Sequence, residues 1–331
     1  MKETVLSGMR STGKLHLGNY FGAALNFIKM QQEFNCFFFI ADYHSLTTHP
    51  NPSALKANIK EMLATYLAVG LNPDLCTLYV QSDVPEIPEL YLLLNMIAYK
   101  GELEKTASFK DKVRKPGQTV NAGLLTYPVL MAADILIHRA NKVPVGKDQE
   151  QHLEMTRNIA SRFNRLYQKE VFPEPTAFNF GEALVKVPGL DGGGKMGKSE
   201  GEANAIFILD DEKVNTKKIM RAKTDSGPTE VNSAKPVEIE NLFQILSLVS
   251  DANIVEKFDT AYKNCDIRYG DLKKQLAADV EAFVYPIRQK ANDILNDETY
   301  LKEIMAKGAE KARISAKETI KLVRAAVGID Y

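Results

Sequence analysis

The sequence predicts an α/β protein, a doubly wound parallel sheet followed by a smaller all-helical domain, and three observations favour this fold class. Short apolar segments alternate with longer amphipathic ones over the first half of the 331-residue chain. One apolar segment, CFFFIAD, has no polar face, as expected of a strand covered by helices on both sides. Beyond about Leu209 the pattern is helical to the end. We place the two domains at residues 1–200 and 201–331.

The first half of the chain reads as strand, helix, strand, helix, strand. The strands are TVLSGM, CFFFIAD and CTLYVQS. The helices between them are LGNYFGAALNFIKMQQEF and NPSALKANIKEMLATYLAVGLNP, and the second begins at Asn51 or Ser53 and stops at its Gly-x-Asn-Pro end. Ligands of such sheets bind at the carboxyl ends of the strands, so residues 8–18, 42–44 and 81–85 are expected to border one crevice.

The next segments are less regular. A polar stretch at residues 108–123 predicts a mobile loop, and it lies within a helical insertion at about residues 86–140. An apolar helix, YPVLMAADILIHRA, a short strand, KVPVG, and a long polar helix, KDQEQHLEMTRNIASRFNRLY, come next. The segment VPGLDGGGKMGKSEGE predicts a loop or hinge. The last helix should end at Gly328, and it can pack back on the first domain.

Composition excludes several classes of protein. The 42 basic and 42 acidic residues cancel, so any site for a polyanion must be a local patch. Cys36, Cys76 and Cys265 are too far apart in sequence for a zinc motif or a disulfide framework, and we expect a reducing cytoplasm. No targeting segment is evident, and no apolar stretch approaches the roughly 18 residues of a membrane span.

Two segments match the spacing of a phosphate-binding P-loop. GMRSTGK, from Gly8, has Leu15 where the Mg²⁺-binding Ser or Thr of a P-loop must follow the lysine. GGGKMGKS, at residues 192–199, fits the whole expression but is preceded by Pro188 and Gly189 and is followed by no amphipathic helix. A P-loop NTPase is therefore an alternative that both contexts disfavour.

HLGN follows the first segment after Leu15, at the start of the first helix, and the second segment contains Lys-Met-x-Lys-Ser, in a later loop. This ordered pair resembles the two signatures of class I aminoacyl-tRNA synthetases, which have a Rossmann-like catalytic domain. The resemblance suits adenylation, in which a carboxylate attacks the α-phosphate of ATP and catalysis depends on orientation and charge stabilisation. Helix N–H groups and His16 can hold phosphate oxygens, Gly18 permits close approach of adenine, and Lys195 and Lys198 can close on pyrophosphate.

The apolar helix carries one carboxylate, Asp134, which needs a partner if it is buried. A structural salt bridge is one interpretation, and a hydrogen bond to a substrate is the other. Tyr127, Met131 and Asp134 are spaced i, i+4 and i+7, so they share one helical face. A face with an aromatic ring, a thioether and one acceptor suits a flat ring with a single N–H or O–H donor, which means tryptophan or tyrosine.

The segment GLLTYPVLMAADILIHRANKVPVGKDQEQHLEMTRNIASRFN, with YLAVGLNP and GELEKTASFKDK upstream, resembles bacterial tryptophanyl-tRNA synthetases. The resemblance implies that Asp134 receives the indole N–H, that Met131 and Tyr127 line the ring, and that Gln149 and His44 lie near the polar groups of tryptophan. It implies catalytic roles for His16, Thr12, Lys112, Lys195 and Lys198. The implied ATP contacts are Arg10, Ser11, Thr12, Gly18, Asn19, Gly146, Lys147, Asp148, Val187, Lys195, Met196, Gly197, Lys198 and Ser199.

The chain departs from the family pattern at two of these positions. Arg10 stands where most members have Gln, and its fixed charge can touch a phosphate or the substrate carboxylate. Gly197 stands where most have Ser. The three consecutive glycines at residues 192–194 predict a looser closing loop.

The implied reaction has two steps, formation of tryptophanyl-adenylate from L-tryptophan and Mg²⁺-bound ATP, then transfer of tryptophan to the 3′ end of tRNA(Trp). The sequence shows no dedicated protein ligand of Mg²⁺, and the phosphates of ATP can hold the ion instead. The helical domain, with its basic segment KVNTKKIMRAK, is expected to bind the tRNA, and the family implies a homodimer away from membranes. A tyrosyl-tRNA synthetase and a non-catalytic, tryptophan-sensing or tRNA-binding paralogue are the alternatives.

Overall fold

The structure is a computed structural model that describes residues 2–11, 14–114, 120–146, 149–178, 180, 185–197 and 201–331, apart from the side chains of Ser108 and Lys112. Five strands of the described residues form one parallel sheet in the order β3-β2-β1-β4-β5. Their bounds are Thr4–Arg10 (β1), Asn35–Ala41 (β2), Thr77–Val80 (β3), Lys142–Val143 (β4) and Thr176–Ala177 (β5). This agrees with the predicted fold class, although the two-residue strand β5 was not anticipated.

The two central strands pair in register along their whole length, from Thr4 opposite Asn35 to Arg10 opposite Ala41. The helices that follow them are α1 (Leu17–Asn19), a π-helical segment (Tyr20–Ala24), α2 (Leu25–Glu33), α3 (Asp42–Leu46) and α4 (Pro52–Val69). Asn51 begins α4, since its side chain accepts from the backbone N–H groups of the second and third helical residues. Gly70 ends it in the left-handed conformation, with φ of 119°.

The helical insertion consists of α5 (Glu86–Asn95), α6 (Lys100–Leu103), α7 (Ala107–Val113) and α8 (Ala122–Ile137), and α9 (Glu150–Tyr167) follows β4. The prediction of a loop at residues 108–123 was wrong at both ends, since residues 108–113 and 122–123 are helical, and residues 115–119 lie outside the described part of the chain. The polar composition was taken to indicate a loop. A short exposed helix needs no apolar face, however, when a hydrogen bond from another element holds its first turn. Here the backbone N–H of Ala107 donates to Gln151 Oε1 at 3.0 Å.

The second half is helical, as predicted, with α10 (Glu212–Met220), α11 (Val237–Val249), α12 (Ala252–Lys263), α13 (Tyr269–Asn296) and α14 (Glu298–Val327). Gly328 ends α14 with φ of 80°, the left-handed conformation that glycine adopts at little cost. Among the described residues, no helix is both long enough and apolar enough to cross a membrane.

The hydrophobic core does not divide at residue 200. One buried cluster joins Leu17, Val187 and Met196 to side chains of the later helices such as Ile239 and Leu272. The first signature, the second signature and the helical half therefore share one core. The proposed domain boundary stays a prediction.

The last helix packs directly on the sheet. A Cβ atom added to Gly308 of α14 would lie 1.8 Å from the backbone oxygen of Leu78 in β3. Ala312 and Ala316, one and two turns further along α14, are buried in the core cluster that covers this face of the sheet. Small residues thus let α14 approach β3 closely, so the last helix lies against the parallel sheet.

Candidate functional site

The first signature begins α1 with a reciprocal cap. The backbone N–H of Asn19 donates to His16 Nδ1 at 3.2 Å, and the backbone N–H of His16 donates to Asn19 Oδ1 at 3.3 Å. Because Nδ1 accepts this hydrogen bond, the neutral ring of His16 carries its proton on Nε2. The cap therefore fixes both the orientation and the tautomer of the buried imidazole.

The two signatures meet at Gly18. A Cβ atom added there would lie 2.9 Å from His16 Nδ1 and 3.3 Å from the backbone oxygen of Met196, in the second signature. Only a residue without a side chain fits between the imidazole and this backbone. The two signatures, which are far apart in sequence, are thus adjacent in the fold.

A backbone hydrogen bond holds the described start of the second signature. The N–H of Met196 donates to the carbonyl oxygen of Val187 at 2.7 Å, and the side chains of both residues lie in the shared core. Their predicted contacts with ATP could therefore involve only backbone atoms. Lys195 is exposed on this loop, opposite Pro188.

The run of glycines before Lys195 is hydrogen-bonded into a turn, and the looser loop expected from composition stays a prediction. Gly189 N–H donates to Gly194 O at 3.0 Å, and Gly193 N–H donates to Asp191 Oδ1 at 2.9 Å. Asn241 of α11 donates to the oxygen of Gly193. A hairpin-like turn tied to α11 lacks the strand–loop–helix context of a P-loop.

Arg10 and Ser11 lie where β1 ends. The Arg10 guanidinium is exposed, and its Nη2 donates to the backbone oxygen of His44 at a long distance of 3.4 Å. The Ser11 side chain is buried, and its hydroxyl donates to Ser45 Oγ at 3.0 Å. The two neighbours therefore differ, since the Arg10 side chain is exposed and the Ser11 hydroxyl is buried against α3.

Asp134 lies fully buried in α8 and has two partners. His44 Nε2 is 2.7 Å from Oδ2, and Gln81 Nε2 donates to Oδ1 at 2.8 Å and to Oδ2 at 3.0 Å. Burial raises the pKa of the Asp134 carboxyl, and the hydrogen bond from His44 acts in the opposite direction without cancelling that rise.

Aromatic rings pack beside the Asp134 carboxylate. The Tyr127 ring meets the His44 ring edge to face, with centroids 4.9 Å apart, and packs in the same way against His152 at 5.4 Å. Met131 is half-buried and packs against the same core. Tyr127 and Asp134 both contact His44, which is consistent with the shared helical face predicted from their spacing.

Two buried atoms of this cluster, His44 Nδ1 and Gln81 Oε1, have no hydrogen-bond partner within the described ranges. Buried polar atoms are nearly always paired in native proteins. The hydrogen bonds within the cluster leave these two atoms unpaired, and a ligand that brings donors would pair them. The sequence placed Gln81 at the border of the crevice, as the first residue of the range 81–85, but did not predict its contact with Asp134.

The remaining predicted residues are distributed as follows. Gly146 lines a cavity of about 190 Å³ that is also bordered by Gly8 and Asn26. Gln149 begins α9, and its N–H donates to the oxygen of Gly146 at 2.9 Å. The predictions that lie outside the described residues are Thr12, Lys147, Asp148, Lys198, Ser199 and the side chain of Lys112. In the part of the chain that can be described, no group of His, Cys, Asp and Glu side chains has the arrangement of a metal site.

Comparison with known proteins decides the family. The profile of class I tRNA synthetases for tryptophan and tyrosine (W and Y) matches residues 2–285. The tryptophan–tRNA ligase of Porphyromonas gingivalis is 60% identical over 326 residues, which are 98% of this chain and 99% of that protein. The chain belongs to the bacterial tryptophanyl-tRNA synthetase family.

Solved structures of tryptophanyl-tRNA synthetases share the whole fold. The Campylobacter jejuni enzyme, determined in complex with ADP and tryptophan, superposes with a TM-score of 0.89 at 38% identity and covers 98% of this chain and 99% of its own. The Mycoplasma pneumoniae enzyme gives a TM-score of 0.81 at 32% identity, with 99% and 98% covered. These findings confirm the resemblance and the fold class, while the roles of individual residues stay predictions.

Proposed function

We propose that this site carries out the tryptophan–tRNA ligase reaction. L-tryptophan and ATP give tryptophanyl-adenylate and pyrophosphate, and the tryptophanyl group then moves to the 3′ end of tRNA(Trp). The observation that carries the proposal is the buried carboxylate of Asp134 beside the Tyr127 ring, within a chain whose two synthetase signatures meet at Gly18. The reaction requires no covalent enzyme nucleophile, and its barrier is lowered by orientation and charge stabilisation.

Tryptophan is held by the face of α8. Asp134 accepts the indole N–H, Tyr127 and Met131 line the ring, and His44 and Gln149 lie near the polar groups. A pocket that satisfies a ring N–H rejects a ring without it by as much as about 10⁴-fold to 10⁵-fold, because the buried acceptor would be left unpaired. The pairing of Asp134 with His44 and Gln81 supports this assignment, since both hold the acceptor in one place.

ATP is held at the junction of the two signatures. The tautomer of His16 puts its ring N–H at Nε2, and such a donor can bind a phosphate oxygen. Gly18 leaves room for the adenine side of the nucleotide, and the exposed ammonium of Lys195 closes on the leaving pyrophosphate. We assign Arg10 to an anionic group of the substrates, either the α-phosphate or the tryptophan carboxylate.

The nucleotide is taken as Mg²⁺-bound ATP, and the phosphates hold the ion. Mg²⁺ in such sites keeps several waters and binds mainly through substrate phosphates, so a dedicated cage of carboxylates is not required. The ion would neutralise charge on the leaving pyrophosphate. Lys112, Lys195 and Lys198 are assigned the same electrostatic role from the protein side.

The tRNA is assigned to the helical half. Exposed basic side chains recur at four-residue spacing along α10, at Lys213, Lys217 and Arg221, and so lie on one face. Such a face binds phosphates without reading sequence. Lys218 differs, because it is half-buried and paired with Asp210. Reversing the charge of Lys217 should raise the KM for tRNA in a charging assay and leave tryptophan activation unchanged.

We assign the dimer contact to the insertion and the reaction to the cytoplasm. Leu92, Met96 and Tyr99 expose 55%, 71% and 58% of their surface on or next to α5, which is a large apolar area for a protein surface. The three cysteines are unpaired thiols, as a reducing compartment allows. Analytical ultracentrifugation tests the assembly, since a monomer at micromolar concentration would contradict it.

The deciding experiment is ATP–pyrophosphate exchange measured with each amino acid in turn, followed by charging of tRNA. We expect exchange with tryptophan only. Exchange that depends on tyrosine would favour a tyrosyl-tRNA synthetase, and tryptophan binding without exchange or charging would favour a non-catalytic paralogue. Steady ATP hydrolysis without amino acid would favour an NTPase.

A further inference from the structure

The carboxylate of Asp134 is held by three hydrogen bonds that use its two oxygens unequally. Oδ2 accepts from both His44 Nε2 at 2.7 Å and Gln81 Nε2 at 3.0 Å, while Oδ1 accepts from Gln81 alone at 2.8 Å. Each carboxylate oxygen has two lone pairs. Among the described contacts, Oδ1 is therefore the oxygen with a lone pair left for a further donor.

The orientation of the Gln81 amide follows from the same contacts. An ionised carboxylate can only accept, so Gln81 must turn its NH₂ group toward Asp134 and its Oε1 away from it. Gln81 is fully buried at the end of β3, on a different element from Asp134 in α8 and His44 in α3. Three elements thus converge on one carboxylate.

The pairing of this cluster is incomplete. Gln81 Oε1 and His44 Nδ1 are buried and have no hydrogen-bond partner in the portion of the chain that is described. By contrast, Gln31, an equally buried glutamine in α2, uses both ends of its amide: Nε2 donates to Gly70 O at 3.0 Å, and Oε1 accepts from Asn72 N–H at 2.9 Å. Gln81 thus differs from Gln31 in that its amide oxygen stays unpaired among the described residues.

We propose that Gln81 is a positioning residue that determines specificity for the ring N–H of the substrate, by fixing Asp134 so that Oδ1 faces that donor. The inference rests on the proposed function, because it assumes that tryptophan binds against α8. Without Gln81 the carboxylate keeps only its bond to His44 and can rotate, and Oδ1 is no longer held at a fixed position. Gln81 does not touch the reacting atoms, so it acts through Asp134.

The test compares L-tryptophan with its benzothiophene analogue, in which sulfur replaces the ring N–H. Calorimetry gives the dissociation constant of each ligand for the wild-type protein and for the Gln81→Met variant, which keeps the length of the side chain but has no amide. A hydrogen bond to a charged acceptor is worth about 10-fold to 100-fold in binding, so the preference for tryptophan should fall by that factor. Exchange kinetics should show the loss in the KM for tryptophan rather than in kcat.

Gln31→Met is the matched control, since it removes a buried amide of the same size away from the pocket. It should lower stability and leave the preference for tryptophan unchanged. Gln81→Glu is the second variant: its carboxyl group needs a proton to donate to Asp134, so the preference should recover as the pH is lowered. This recovery can be measured even if Gln81→Met does not fold.

The outcomes separate the two proposals. A wild-type protein that neither binds tryptophan nor exchanges pyrophosphate with it contradicts the proposed function. A wild-type protein that does both, with an unchanged preference for tryptophan in folded Gln81→Met or at every pH in Gln81→Glu, overturns the role of Gln81 alone.

Discussion

Replacement of Gly18 by alanine tests the contact between the two signatures. The new Cβ atom would lie 2.9 Å from His16 Nδ1, closer than real Cβ contacts allow, and 3.3 Å from the oxygen of Met196. The His16 ring is the group that can move, and moving it breaks the 3.2 Å hydrogen bond from the N–H of Asn19. Loss of such a cap lowers the free energy of unfolding by about 1 kcal/mol.

The effect on catalysis should be larger than the effect on stability. If His16 binds a phosphate oxygen through Nε2–H as proposed, its displacement removes that donor, and losing one such donor costs about 10²-fold to 10³-fold in rate. We expect kcat of tryptophan-dependent pyrophosphate exchange to fall by about 10²-fold, with little change in the KM for tryptophan, because Asp134 belongs to another part of the site.

Gly270→Ala is the control for Gly18→Ala, because a Cβ atom at Gly270 in α13 meets nothing within 4 Å. It should unfold at the same or a slightly higher urea concentration, since alanine favours a helix more than glycine does. Wild-type kcat in a stably folded Gly18→Ala variant would refute the close contact between imidazole, glycine and loop.

Two further predictions concern the links between the first signature, the helical half and the sheet. Asp210 pairs with Lys14 at 2.9 Å and with Lys218 at 2.8 Å, so Asp210→Asn should lower the free energy of unfolding by about 1 kcal/mol at pH 7 after solvent screening. Burial acts to raise the Asp210 pKa, but the two lysines hold that pKa below 3.8 in the folded protein. The stabilisation by Asp210 is therefore complete above pH 3.8 and is lost as the pH falls through the pKa of the folded state. Urea unfolding at several pH values can follow this loss. In Gly308→Ala the Cβ atom would be about 1.6 Å closer to Leu78 O than the ordinary contact distance of 3.4 Å. The substitution should displace α14 and lower the free energy of unfolding by about 3 kcal/mol. An unchanged urea midpoint would contradict this packing.

Local signals in the sequence were sufficient for most of the fold. Alternation of apolar segments predicted the central strands, and the positions of Asn51, Gly70 and Gly328 predicted where helices begin or end. These signals work because capping and left-handed turns depend on neighbouring residues only. The polar segment that forms α7 gave no such signal, because its helix is stabilised by a contact with Gln151, which is distant in sequence.

Residues of the candidate site could be predicted where they belong to a sequence motif. Residues that reach the site only through tertiary packing could not. His16, Gly18 and Asp134 were found from a signature and from a lone carboxylate in an apolar helix. Gln81 was placed at the crevice by its position after a strand, but its contact with Asp134 was missed, since that contact depends on three elements that meet only in the folded chain. The packing of Met196 into the core was equally invisible, because a signature residue read from sequence gives no information about which way its side chain points.

The most direct test of the central claim is pyrophosphate exchange by Asp134→Ala. If Asp134 reads the ring N–H, the variant should keep its fold and lose most of its tryptophan-dependent exchange, together with its preference for tryptophan over the benzothiophene analogue. The same ATP and protein concentrations should be used for the wild type. Normal exchange and an unchanged preference in the variant would contradict the account, because the ring would then be recognised by another group.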